Sequence, residues 1–190
     1  MPDPTLSEAL QEAYASAPAD GALLHTLSVW YDGLEVEGDP SEIYVYQGFD
    51  GDRTSAEGVP LKDFRLEPGA RYSGGEVVEF IAVPFELTLP RVESTSLSKG
   101  QLVIDGVGRE IADALLAAVA AGQSVVITYR AYLEGMEDDG PQNDPPLSFS
   151  LGNVSINAVQ VRGDITPVSI GGKRFPGDAY RPARFPAIRA

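Results

Sequence analysis

Alternation of apolar and polar positions dominates this chain, and a period of two marks most of it as strand. Over 23–31, "LLHTLSVWY" favours β-branched and aromatic residues over helix formers, which predicts a first strand. "SEIYVYQGF" (41–49) sets Ile43 and Val45 against Tyr44 and Tyr46 and predicts a second, with a short extended piece near Phe64. "GGEVVEFIAVPFELTLP" (74–90) is the longest β segment; Pro84 makes it an edge, or breaks it into two strands with a bulge between. "GQLVIDGV" (100–107) and "QSVVITYRAYLEG" (123–135) predict two more strands. In "LSFSLGNVSINAVQVRG" (147–163), Gly152-Asn153 reads as a turn between two short strands.

Two segments carry the helical period instead. After a capping Ser7, Leu6, Leu10 and Tyr14 fall on one face, and Pro18 and Gly21 end the run. Ile111, Leu115 and Val119 recur in an Ala-rich stretch that Gly122 would close. The pattern predicts an α+β fold: a predominantly antiparallel β-sheet or small barrel, with an N-terminal helix, one internal helix and an extended C-terminal arm. The expected division is 1–20 as the N-terminal helix, 21–170 as the β-rich domain and 171–190 as the arm.

Composition sharpens this outline. With 190 residues, 43% of them apolar, the chain has material for one ordinary core. It has no cysteine, which excludes a disulfide scaffold, a thiolate metal site, an iron–sulfur cluster and a cysteine nucleophile. No run approaches the roughly 18 apolar residues of a membrane span, and the beginning lacks a signal-peptide pattern, so membrane insertion is not expected. Charge is unevenly shared. Residues 1–170 hold 9 Lys/Arg against 27 Asp/Glu, a net −18, whereas 171–190 hold 5 against 1, a net +4. Such an acidic body repels phosphate backbones, so stable nucleic-acid binding is not expected, while the ending suits an acidic surface.

Signals for catalysis are weak. His25 is the only histidine, and no neighbour makes it part of a triad or metal pattern. "DGVGRE" lacks the third glycine of a dinucleotide fingerprint, and there is neither a nucleophile elbow nor a phosphate-binding loop. "DGDRTSAEG" offers Asp50, Asp52 and Glu57 and begins like a calcium loop. However, Ser55 stands where the sharp turn needs glycine, and Leu61 stands where the bidentate acid belongs. "EGMEDDGPQND" offers Glu134, Glu137, Asp138, Asp139 and Asp144 without regular spacing. No catalytic residue, cofactor or metal ligand is assigned, and the expectation is a protein that is not an enzyme. Two alternatives stand beside it. One is a calcium-assisted carbohydrate- or receptor-binding module using Asp50, Asp52 and Glu57 with Trp30 or Tyr31 as a stacking platform. The other is a small hydrolase with paired carboxylates.

The ending, "KRFPGDAYRPARFPAIRA", repeats Arg-Phe-Pro at 174–176 and 184–186 and cannot continue a helix or central strand. Val126, Tyr129, Arg130, Tyr132 and Leu133 of the late strand, followed by Phe175, Pro176, Tyr180, Phe185 and Pro186, resemble a family of small tail-tip proteins of siphophages, whose function is unknown. That family is in turn similar to the N-terminal hub-type domain of phage lambda minor tail protein L. The resemblance covers about residues 70–188. It implies a structural part of a long non-contractile tail tip, in a hub or baseplate ring joining the distal tube to the receptor-binding hub. The lambda protein's iron–sulfur portion has no counterpart here, because there is no cysteine to carry it.

The implied partners are further copies of the chain, as a homotrimer or else a hexamer, with the distal tail protein and central hub as neighbours. The implied location is the virion tail tip, assembled in the host cytoplasm. Within the arm, Phe175, Tyr180 and Phe185 recur every five residues as apolar anchors. Interleaved arginines suit an acidic rim, so Arg174, Phe175, Pro176, Tyr180, Arg181, Arg184, Phe185 and Pro186 are the expected interface.

Overall fold

The computed structural model describes residues 23–36, 39–56, 58–90, 92–93, 96–97, 99–106, 118, 122–157 and 160–168. The first half supplies β1 (Leu23–Trp30), β2 (Glu35–Val36), β3 (Asp39–Pro40), β4 (Ile43–Tyr46), β5 (Arg53–Thr54), β6 (Pro60–Arg65), β7 (Val77–Ala82) and β8 (Phe85–Thr88). The second supplies β9 (Val92–Glu93), β10 (Ser96–Leu97), β11 (Gly100–Asp105), β12 (Val125–Leu133), β13 (Leu147–Ile156) and β14 (Gln160–Pro167). Ten strands form one sheet in the order β5-β6-β7-β4-β1-β12-β13-β14-β11-β8, and β2–β3 and β9–β10 are separate two-stranded ribbons.

The α+β expectation is therefore corrected to a mostly β fold. Its main sheet is mixed, because β4 and β7 run parallel while the other pairs are antiparallel. Among the described residues a 3-10 turn spans Glu137–Asp139, inside the acidic segment 134–144. Most of the N-terminal and internal segments read as helices lies outside the described residues. Within the internal segment Ala118 is described, fully buried in the main core, and Gln123 N–H donates to its carbonyl at 2.9 Å across Gly122 at φ +67°.

Pro84 determines how the sheet curls. It interrupts the 74–90 segment between β7 and β8, since a residue without an N–H cannot continue the ladder. Val83 N–H still donates to Tyr46 of β4 (3.0 Å), whereas the Pro84 carbonyl accepts from Asp105 at the end of β11 (2.9 Å). The chain thus passes from β7, third in the strand order, to β8 at the far end, bringing β4 and β7 beside the β8–β11 edge. Enclosed by this curl is the main core, built from Leu27, Val29, Val45, Phe85, Ile104, Val125, Ile127, Phe149, Leu151, Val161 and Ile165, among others.

A second cluster lies on the outer face, where β6 and β7 extend past the curl. Tyr44, Tyr46, Phe64, Leu66, Phe80 and Tyr132 pack there, with Phe64 and Phe80 centroids 4.9 Å apart and Phe64 and Tyr132 4.8 Å apart. Alternation along β12 explains the two clusters. Val125, Ile127, Tyr129 and Ala131 face the inner core, and Arg130 and Tyr132 face outward beneath β6 and its loop.

A second correction concerns Gly152-Asn153. These residues lie inside one long strand, β13, where the register shifts between Gly152 and Ser155. Asn153, at φ +50°, accommodates the extra residue as a bulge, and its side-chain N–H donates to Asp164 at 2.7 Å. The hairpin closes later. Asn157 N–H donates to the Gln160 carbonyl at 2.9 Å, and its side-chain oxygen accepts from Gln160 N–H at 2.8 Å. β6 is a full six-residue strand where the pattern predicts a short piece.

Candidate functional site

Arg130 sits in the middle of β12, on the outer face, and is 2% exposed. A guanidinium cannot be left so deep without acceptors. Its Nε and Nη2 donate to the two carboxylate oxygens of Glu67 at 2.7 and 2.9 Å, and Nη1 donates to Ser28 Oγ at 2.9 Å. Burial alone would lower the Arg130 pKa, but the bonds and charge of Glu67 outweigh it and hold the guanidinium above its ordinary value. Ser28 comes from β1, where it is paired with Thr128, two residues from Arg130 and on the same face of β12.

Glu67 reaches this point because residues 66–76 form a closed loop. Leu66 N–H donates to Glu76 at 2.9 Å, and the Glu67 carbonyl accepts from Ala70 and Gly75, each at 3.1 Å. Gly74 is required at the crossing, since a Cβ there would stand 2.6 Å from the Pro68 carbonyl oxygen. Leu66 anchors the loop in the aromatic cluster. Arg71 lays its guanidinium over the Trp30 indole, 3.7 Å from the ring centroid, a cation–π contact.

Between loop and sheet lies a cleft of about 180 Å³, lined in part by Trp30, Glu42, Glu67, Arg71, Thr128 and Ser148. Glu42, just before β4, is 7% exposed, and its Oε2 has no hydrogen-bond partner among the described residues. The hydroxyl of Tyr44, two residues on, shares that condition. Burial first, then the Glu42 charge, push the Tyr44 phenol far above its ordinary value against the opposing pull of Arg130. Two carboxylates therefore face one cleft. Glu67 has both oxygens engaged by Arg130, so Glu42 keeps the uncommitted one.

The other singled-out residues fall elsewhere. Asp52 pairs with Lys62 Nζ at 3.3 Å, and the same ammonium reaches Glu137 at 3.1 Å. Lys62 thus links both acidic loops. Burial lowers its pKa, but the bonds to Glu137 and Asp52 outweigh it and hold the ammonium above its ordinary value. Asp50 accepts the Tyr46 hydroxyl through its backbone carbonyl, and Glu57 lies outside the described residues. Trp30, considered as a stacking platform, has one face taken by Arg71.

His25 is half-buried, with Nδ1 at 2.7 Å from the Tyr129 hydroxyl, and burial lowers its pKa. Among the described residues no group of three or more acids or histidines is arranged for a metal ion. The eight interface residues expected in the arm lie outside the described residues.

Glu42, Glu67 and Arg71 were not anticipated. One signal was present: a lone arginine in an apolar strand, Arg130, demands an acid from a distant segment. Nothing in the sequence says which acid.

A search of curated proteins finds no match. Residues 9–180 match a family described as a domain of unknown function, DUF1833, and the chain belongs to that family.

Proposed function

We propose that this protein is a non-catalytic structural component of a siphophage tail tip, part of a ring between the distal tube and the receptor-binding hub. The observation that carries the reading is the joining of an acidic β-body, net −18, to a basic ending punctuated by Phe-Pro, net +4. Body and ending are complementary in charge, and the proline-locked ending is suited to lie extended across a neighbour. The residues of β12 that carry the resemblance are spent on architecture. Tyr129 and Tyr132 pack in the two clusters, and Arg130 is bound to Glu67 and Ser28. In this role the partners are further copies, three or six, with the distal tail protein and central hub alongside. A negative passage would also let DNA pass without adhering.

Quantitative mass spectrometry of purified particles, scaled to the tube protein, tests the reading. A small fixed number of copies per tail is expected. Absence from the particle overturns it.

A further inference from the structure

Phe49, in the loop after β4, is 78% exposed, whereas the other exposed large apolar side chains among the described residues lie at 37–44%. Isolated apolar residues are ordinary on a protein surface, so exposure alone assigns Phe49 no role. What sets it apart is the backbone beneath it. Residues 46–50 arch over the buried ring of Tyr46, whose hydroxyl donates to the Asp50 carbonyl just beyond Phe49. Just before Phe49, Gln47 N–H donates to the His25 carbonyl at 2.8 Å, and the Gln47 side-chain N–H donates to the Phe85 carbonyl at 2.6 Å. A Cβ on Gly48 would stand 2.7 Å from the Tyr46 ring, and one on Gly51 would stand 2.5 Å from the Leu61 carbonyl oxygen. The space under the arch is thus filled, and the Phe49 side chain has no place to fold back into.

An aromatic side chain held out on a fixed loop loses little freedom when it enters a pocket, which is the condition of an interface anchor. Charge narrows the partner. Asp50 and Asp52 follow Phe49 and are exposed, and the Lys62 that pairs with Asp52 also serves Glu137, which leaves acid in excess there. The acidic body of a second copy, net −18 over residues 1–170, would repel this rim, whereas a basic rim around an apolar pocket would match it.

We propose that Phe49 is the anchor by which the body grips a different protein, one that offers an apolar pocket with a basic rim. The inference rests on the proposed function, in which a neighbour of another kind adjoins this chain, and it adds the surface that meets that neighbour.

The source phage carrying wild type, Phe49→Ser, Phe49→Leu or Asp50→Lys tests this. Each lysate is sedimented, and quantitative mass spectrometry gives the share of the chain that travels with tails. Melting curves of the purified chains confirm the fold, which a change at an exposed side chain should not alter. Phe49→Ser is expected to lower the tail-bound share by about tenfold, Phe49→Leu to keep most of it, and Asp50→Lys to lower it by a smaller factor. An equal share for Phe49→Ser and wild type overturns the anchor, and an unchanged share for Asp50→Lys overturns the basic rim. Wild type that never travels with tails overturns the proposed function on which the anchor rests, so the two failures are distinct. Self-association of wild type in analytical ultracentrifugation that is lost in Phe49→Ser assigns the anchor to a second copy and overturns the choice of partner.

Discussion

Glu67→Ala is the substitution with the largest expected cost outside the two apolar clusters. It removes two charge-assisted bonds, of 2.7 and 2.9 Å, from a guanidinium that is 2% exposed. Ser28 Oγ at 2.9 Å then remains as a neutral acceptor. Stripping one partner from a buried ion pair costs about 3–5 kcal/mol, chiefly because the surviving charge stays desolvated. The Glu67 side chain is 14% exposed, so some water enters with the mutation, and about 3 kcal/mol is expected. Urea unfolding followed by Trp30 fluorescence measures it, with an unchanged slope showing that stability alone has moved. The melting temperature should fall by about 2–4 °C per kcal/mol. Arg130→Met should cost less, since Glu67 has a route to solvent, and Glu67→Leu with Arg130→Met should recover most of the loss by removing both charges. A cost below about 1 kcal/mol for Glu67→Ala would place the pair with surface ion pairs and refute the account.

Three further outcomes follow from the same geometry. His25 has a folded pKa below its ordinary value because burial disfavours the charged ring, so the unfolded chain binds the proton more readily. Stability should decline as pH falls from about 6.5 toward the folded pKa, and His25→Phe should flatten that segment of a urea-midpoint profile. Asn143 is buried on the acidic loop, where Oδ1 accepts from Ala131 N–H at 2.8 Å and Nδ2 donates to the Tyr129 carbonyl at 3.2 Å. Asn143→Leu orphans both groups of β12 and should cost about 2 kcal/mol or more by urea unfolding. At Gly100 a Cβ would stand 2.3 Å from the Thr88 carbonyl oxygen, so Gly100→Ala must separate β8 from β11. A loss of about 1–3 kcal/mol is expected, with faster amide exchange in β8.

Strands were the legible part of this fold. β1, β4, β11 and β12 lie where β-branched alternation places them, and the break at Pro84 follows from one missing N–H. β6 was harder to read, because "PLKDFR" opens with proline and mixes charges into the apolar rhythm. Its Lys62, Asp63 and Arg65 are intelligible once Asp52, Arg53 and the Asp138 carbonyl stand beside them. Gly152-Asn153 carried a turn signal that was locally sound. Tertiary pairing with β14 turned the same left-handed residue into a bulge. The cleft was hidden for a different reason. Glu42, Glu67 and Arg130 are separated by 25 and 63 positions, and only the strand order β4-β1-β12 with the loop after β6 brings them to one face.

The strand order also bears on synthesis. A nascent chain that has reached Asp105 already holds β1, β4, β6, β7, β8 and β11, but the edges of β1 and β11 that will receive β12 and β14 are open. β12, β13 and β14, from residues 125–167, fill that gap as one insert. Until they emerge, two unpaired edges flank an apolar interior, the condition in which strands most readily join the wrong chain. Closure is therefore a late and long-range step, and stop codons or ribosome stalling between residues 106 and 160 should yield aggregates rather than shorter soluble domains.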